Sequence, residues 1–281
     1  AGSCPDDSVL SDESLPSEEA LRVSEYAEDI HRHMREREVW FRPRPGFLEN
    51  HPEITADMRA VLVSWMVEVV REYRLRSETL HLSVNYLDRF LSQTKSVRRN
   101  RLQLVGTAAL SIAAKYEEIN PPELDDFVYT TDNTYTRSQL MHMELLILKA
   151  LGYRLAAPTS SQFLSLFTAI QSACPLTHNL AMYIAELGLL ETDVLLRYPP
   201  SLLAAAAYSL ASFTVSTLLW PDNLHAFTGL KMADVSACVA DLHQLHLSAQ
   251  SHPHQAIRER YKSSRYCHVS SITPSSVLPF T

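Results

Sequence analysis

The sequence predicts an all-α protein built as two consecutive helical domains of similar plan. Three observations carry this prediction. Apolar residues recur at three- and four-residue spacing in segment after segment, and no stretch shows the period-two alternation of a strand. Glycine is scarce, with six residues in 281, while 46% of the chain is apolar, which suits a helical core. Similar helices also recur at an offset of about a hundred residues. Helices open at Thr55 and again at Thr159, and alanine-rich helices cover 108–114 and 204–211. The join falls near Ala156-Ala157.

Residues 1–23 are rich in Ser, Asp and Glu and are expected to be disordered. The chain starts at Ala1 without a methionine, as expected of a fragment or a processed product. A short amphipathic helix follows, capped by Ser24, with Tyr26, Ile30 and Met34 four residues apart. Pro43, Pro45, Gly46 and Pro52 make an extended connector, so that 24–54 reads as a helix plus linker. Thr55 then caps a helix reaching about Tyr73. One stripe of it holds Met58, Val61, Leu62, Trp65 and Val69, and a second holds Leu62, Val63, Met66 and Val70. A helix apolar on two faces is central to its domain.

Further helices are expected at 78–92, 102–118, 122–129 and 136–151, completing a first domain over 55–155. The last opens with the capping box Thr136-x-x-Gln139 and stops at Gly152. Thr159 with Gln162 repeats the capping device. It opens a second domain over 156–255, with helices near 160–170, 177–190, 201–217 and 232–247. Residues 256–281 are left as a C-terminal tail.

A net charge of −7 argues against general nucleic-acid binding, which needs a basic surface to displace counterions. Cys4, Cys174, Cys238 and Cys267 lie far apart with no CxxC, a pattern of reduced thiols in a cytosolic or nuclear protein. No signal peptide heads the chain. Between Arg197 and Asp222 there is no charge, but the stretch is built mainly from Ala, Ser and Thr behind Pro199-Pro200. Small side chains suit a closely packed central helix better than a membrane span, so no membrane partner is expected.

No catalytic constellation is found: no glycine-rich phosphate loop, no GxSxG and no HExxH. Glu117-Glu118 and Asp125-Asp126 are adjacent carboxylates that point in different directions on a helix. His31/His33 and His252/His254 are two apart and share no helical face; His243 and His246 share one but have no third ligand in view. The chain reads as a non-enzyme without metal or cofactor.

What stands out instead are isolated charges in apolar helical faces. Lys115 shares its face with Ala108, Ser111, Ile112 and Ile119, and Glu144 sits among Leu140, Met141, Ile147 and Leu148. A charge so placed is costly unless paired. Either the two pair with each other inside the core, or both point at a partner protein. Arg59 also needs a partner, because its face carries Leu62, Val63 and Met66, and Asp88 on the next helix is the best candidate for a structural pair.

These residues are also where the chain becomes recognisable. The segments 58–62 (MRAVL), 65–69 (WMVEV), 85–91 (NYLDRFL), 102–109 (LQLVGTAA) and 115–123 (KYEEINPPE) resemble the cyclin box, in the order that family has them. The match is most similar to A-type cyclins and extends from about Tyr26 to Val269. It implies two tandem five-helix cyclin folds and a regulatory subunit that binds and activates a cyclin-dependent kinase. Such a protein acts in S phase and in mitotic or meiotic entry, in nucleus and cytoplasm and mainly in the nucleus. A B-type or other cyclin, or a transcription-factor-IIB-like grip on DNA by the same fold, are the alternatives.

Carried over by position, the resemblance assigns Lys115 and Glu144 to the grip on the kinase's mobile regulatory helix, with Phe127, Leu148 and Leu155 as apolar contacts and Tyr26 and Ile30 extending the interface. Seating that helix brings a kinase glutamate to its ATP-positioning lysine. Met58, Val61, Leu62, Trp65, Glu68, Leu102 and Gln103 match the family's groove for Arg-x-Leu motifs of substrates and inhibitors. Two departures stand out. Ser64 replaces the usual acid before the tryptophan, and the loop 92–101 is one residue longer, with Lys95, Arg98, Arg99 and Arg101 in or beside it.

Overall fold

The computed structural model describes residues 19–275 together with 277 and 278. Of the segment 1–23 expected to be disordered, 1–18 lie outside the described residues, and 19–23 are helical instead. α1 (Glu19–Glu38) starts upstream of Ser24, which is therefore inside the helix and not its cap. The reason is local: Glu19, Ala20, Leu21 and Arg22 are good helix formers, and neither proline nor glycine stops the turn there. Two short 3₁₀ turns, Val39–Phe41 and Phe47–Asn50, carry the connector.

The first repeat comprises α2 (Ala56–Glu72), α3 (Ser77–Gln93), α4 (Leu102–Glu117), α5 (Leu124–Thr130) and α6 (Arg137–Ala150). Its caps follow side-chain chemistry. Thr55 accepts from the Met58 amide, and Thr136 and Gln139 satisfy each other's backbone in a capping box. Glu123 and Asp126 do the same for α5, which begins after Pro121-Pro122 and not at Pro122. α4 is the buried centre, packed by α2, α3 and α6. It comes so close to α2 that a Cβ on Gly106 would sit 2.7 Å from the Leu62 side chain.

The second repeat is α7 (Ser160–Ile170), α8 (Pro175–Leu190), α9 (Thr192–Arg197), α10 (Pro200–Ser216), α11 (Asp222–Thr228) and α12 (Met232–Ser248). α10 occupies the place α4 has in the first repeat, with Ala204, Ala205, Ala206 and Ala207 fully buried among α7, α8 and α12. No helix among the described residues is long and apolar enough to cross a membrane. α9, α11 and α13 (Ala256–Arg260) are too short to show a period and went unread in the sequence.

The segment read as a tail is packed into the fold. α13 lies against α2 and α8, and Tyr261 and Val269 are fully buried. Its Arg260 donates through Nη1 alone to both carboxylate oxygens of the buried Glu186 of α8, at 3.0 and 3.1 Å, and through Nη2 to Ser77 of α3 at 3.2 Å. Charge pairing over a long sequence distance, invisible to local patterning, makes this end part of the core.

α1 docks on the second repeat although it precedes the first. His31 enters an aromatic cage of Phe163, Phe167 and Phe227, with ring centroids 5.9, 6.2 and 4.9 Å away. Burial, helped by Arg35, lowers its pKa to about 4, so it sits there as a neutral aromatic ring. Glu38 accepts from the Ser201 amide and hydroxyl, both at 2.8 Å, placing a carboxylate at the N-terminus of α10.

Candidate functional site

The first surface is built by the C-terminal half of α4 and the middle of α6. Glu144 is nearly buried, and its Oε1 accepts from Ser111 Oγ at 2.7 Å and from Lys115 Nζ at 2.6 Å. The two isolated charges therefore pair with each other. They do so at the surface: 42% of the Lys115 side chain is exposed, against 11% for Glu144. An ammonium with three donors keeps capacity for further acceptors there. Exposed apolar residues flank the pair along both helices, notably Tyr116, Ile119 (82% exposed), Met141 and Leu145. Tyr153, just past α6, is exposed as well. Tyr116, Leu145 and Tyr153 were missed in the sequence; the signal was an apolar residue placed off the buried stripe, legible only once the buried face is known.

Tyr26 and Ile30 are exposed on α1, while Leu148 and Leu155 are half-buried. The Leu155 carbonyl is held by the Tyr86 hydroxyl at 2.9 Å, which fixes the segment behind α6. Phe127 is a correction. It is fully buried and packs on Tyr73, with ring centroids 6.4 Å apart, so it offers no surface to a partner. In the short α5 one face must close the core, and the phenylalanine does so.

The second surface is an open groove between α2 and the start of α4. Val61 is half exposed on its rim, Met58, Trp65 and Gln103 are half-buried along its walls, and Leu62 and Leu102 form a floor only 5% exposed. For those two residues the core role dominates. Glu68 lies beyond the ridge made by Val61 and Trp65, in a neighbouring depression shared with Ser64, Arg71 and Glu259. It is exposed and does not line the groove itself.

The Arg59–Asp88 pair is buried between α2 and α3. The guanidinium is bidentate, Nε to Oδ1 and Nη2 to Oδ2, both at 2.6 Å. Arg59 is fully buried and Asp88 2% exposed. Nη1 also donates to the Leu189 carbonyl at 2.9 Å, capping the end of α8. A second seam between the repeats runs from Thr159 Oγ1 to Glu78 Oε2 at 2.6 Å. Burial, the largest cause, raises the Glu78 pKa to about 7.

The other sequence candidates are explained structurally. Asp126 caps α5, Asp125 pairs with Arg137 at 2.6 Å, and Glu118 accepts from the Arg76 amide at 2.7 Å. His243 bonds the Ser275 carbonyl, and His246 packs edge-on against Tyr183. Among the described residues no group of His, Cys, Asp or Glu is arranged to hold a metal ion.

Two family models match the chain. The cyclin N-terminal domain matches residues 29–156 and the cyclin C-terminal domain matches 158–275. The chain belongs to the cyclin family. This cyclin is 54% identical to cyclin-A1 of Carassius auratus, over 99% of this chain and 71% of that protein. It is 54% identical to cyclin-A1 of Mus musculus, over 93% of this chain and 62% of the relative. It is also 49% identical to the G2/mitotic-specific cyclin-A of Patella vulgata, with 93% and 61% covered. The chain thus spans roughly three-fifths to seven-tenths of these A-type relatives. In fold it is similar to a viral cyclin from herpesvirus saimiri, with a TM-score of 0.69 at 22% identity, covering 77% of this chain and 96% of that one. A chain of the yeast RNA Pol II CTD kinase CTDK-1 complex is similar with a TM-score of 0.59 at 14% identity, covering 80% and 72%.

Proposed function

We propose that this cyclin is a non-catalytic regulatory subunit that binds and activates a cyclin-dependent protein kinase in S phase and in mitotic or meiotic entry. The observation that carries the reading is the Lys115–Glu144 pair, anchored by Ser111 yet open to solvent and flanked by exposed apolar residues. A lysine and a carboxylate held this way can satisfy the orphan carbonyls and amides at the end of a kinase helix. The apolar surround would supply the burial energy. The cyclin then shifts the population of an active kinase conformation without joining the chemistry. Relatives named as A-type and G2/mitotic-specific cyclins support the cell-cycle assignment.

In the same reading the α2–α4 groove recruits Arg-x-Leu substrates and inhibitors, and the protein works mainly in the nucleus. The test is co-purification with a panel of cyclin-dependent kinases, with histone phosphorylation as the readout. Kinase activation that depends on Lys115 and Glu144 supports the reading. A chain that associates with no kinase in the panel overturns it.

A further inference from the structure

The basic loop that the sequence sets apart is rigid and unpaired in the structure. Three contacts lock its backbone to the segment before α2: the Ser96 amide to the Asn50 carbonyl at 2.9 Å, the Val97 amide to His51 Nδ1 at 3.0 Å, and the Arg99 amide to Glu53 Oε2 at 3.1 Å. His51 is buried, and its other nitrogen holds the Leu91 carbonyl at 2.8 Å. With the backbone fixed, Lys95, Arg98, Arg99 and Arg101 are all exposed. None of the four is in an ion pair among the described residues. Four unpaired cations in seven positions are notable on a chain of net charge −7.

Their position relative to the groove matters more than their number. Arg99 itself lines the groove, beside Leu102 and Gln103. The loop is tied to residues 50–53, at the N-terminal end of α2, whereas Glu68 and Glu259 lie past Trp65 toward the other end. From Thr55 to Glu68 the helix rises about 20 Å. The apolar groove therefore runs from this basic end toward the Val61–Trp65 ridge, beyond which Glu68 is exposed in a depression shared with Arg71, where Glu259 is already paired with Lys262. An extended peptide covers that distance in about six residues. Asp57 also lines the groove near the basic end, 3.7 Å from His254, and leaves the cationic excess in place.

We propose that the groove is a two-sign docking track: Lys95, Arg98, Arg99 and Arg101 receive an Asp/Glu-rich segment of the docked peptide, about six residues from the basic residue held near Glu68. This inference rests on the docking reading given above and specifies the partner's charge pattern. Because the loop is already ordered, little is lost in fixing it on binding. Each exposed pair is weak, but several cations facing several carboxylates add up, and salt screens the sum.

The test is fluorescence anisotropy of this chain with three labelled peptides at low and moderate salt. One is a parent Arg-x-Leu peptide with neutral flanks; the others carry three aspartates about six residues after or before the motif's arginine. One of the two acidic peptides is expected to bind about five- to tenfold tighter than the parent at low salt. Moderate salt should remove most of that gain. The triple variant Lys95→Gln, Arg98→Gln, Arg101→Gln should lose the gain and keep the parent's affinity. No gain for either acidic peptide, or a gain that survives salt and the triple variant, overturns the proposal. A parent peptide that fails to bind overturns the docking reading, and this one with it.

Discussion

Arg59 of the first repeat donates to the Leu189 carbonyl of the second at 2.9 Å, while its other two nitrogens hold Asp88 at 2.6 Å. A single buried guanidinium thus satisfies a carboxylate in its own repeat and a helix end in the other. Arg59→Ala would strand Asp88 in the core and open the end of α8, so a loss of about 3–5 kcal/mol is expected. Arg59→Lys should rescue only part of it, because an ammonium cannot make the bidentate fork and the third bond together. Urea unfolding measures both, and an unchanged midpoint for Arg59→Ala would falsify this account.

Lys115→Ala and Glu144→Ala are expected to leave far-ultraviolet circular dichroism unchanged and to weaken kinase association by about 2 kcal/mol or more. The Lys115 side chain is half-open and Glu144 keeps its bond from Ser111, so loss of the ammonium costs the fold less than stranding a fully buried charge. Ile119→Asp should weaken association as well, since it puts a charge on the exposed apolar surround. Calorimetry with the purified kinase gives the affinities. Full kinase activation by the Lys115→Ala protein would sink the assignment.

Trp65→Ala is expected to weaken Arg-x-Leu peptide binding by about 2 kcal/mol or more while sparing activity on short peptides without the motif. Leu62→Ala is a poor test of docking, because Leu62 is core and its truncation costs about 2–5 kcal/mol of stability. Ser64→Asp should tighten basic peptides, by about fivefold at most, since it adds one exposed charge next to Glu68. If Trp65→Ala lowers activity equally on both kinds of substrate, the docking role is refuted.

Glu78 makes the seam between repeats sensitive to pH. Its folded pKa of about 7 lies above the ordinary 4.5, so the native chain holds a proton that the unfolded chain releases between those values. Its contribution to stability is present at low pH and is lost as pH rises through about 7. His31 and His246, both lowered to about 4 chiefly by burial, act in the opposite sense, losing stability as pH falls below 6.5. Glu78→Gln isolates the first effect. The variant should gain on the parent between pH 5 and pH 8 by on the order of 1–3 kcal/mol. Parallel stability–pH curves for the two proteins would show that Glu78 is not responsible.

The long helices were legible because each buries a stripe that repeats at helical spacing, and the caps Thr55, Thr136 and Thr159 because a hydroxyl accepts from an amide three residues on. The turns of five to seven residues in α9, α11 and α13 carry too few positions to show a period. Side-chain depth was the harder quantity. Phe127 looked like a surface contact and is core; Tyr116 and Tyr153 were passed over and are exposed. The Arg59–Asp88 partnership followed from electrostatic need, yet Leu189, 130 residues away, did not, because a backbone carbonyl leaves no mark on a sequence. Arg260 and Glu186 were not paired from the sequence either, although Glu186 is an isolated charge in an apolar helix, because 74 residues separate it from its partner.

The seating of His31 against Phe227 has a bearing on how the chain is made. A ribosome delivers α1 before either repeat, but the last ring of its cage follows about 200 residues later, roughly 10–40 s at ordinary elongation rates. During that interval the first repeat can fold behind a helix that has no seat. The apolar side of that helix, with Ala27 and His31, stays uncovered until α11 has emerged and the second repeat closes over it. Nascent-chain intermediates of this protein should therefore carry an exposed amphipathic α1 that chaperones can hold, and release from them should coincide with completion of the second repeat.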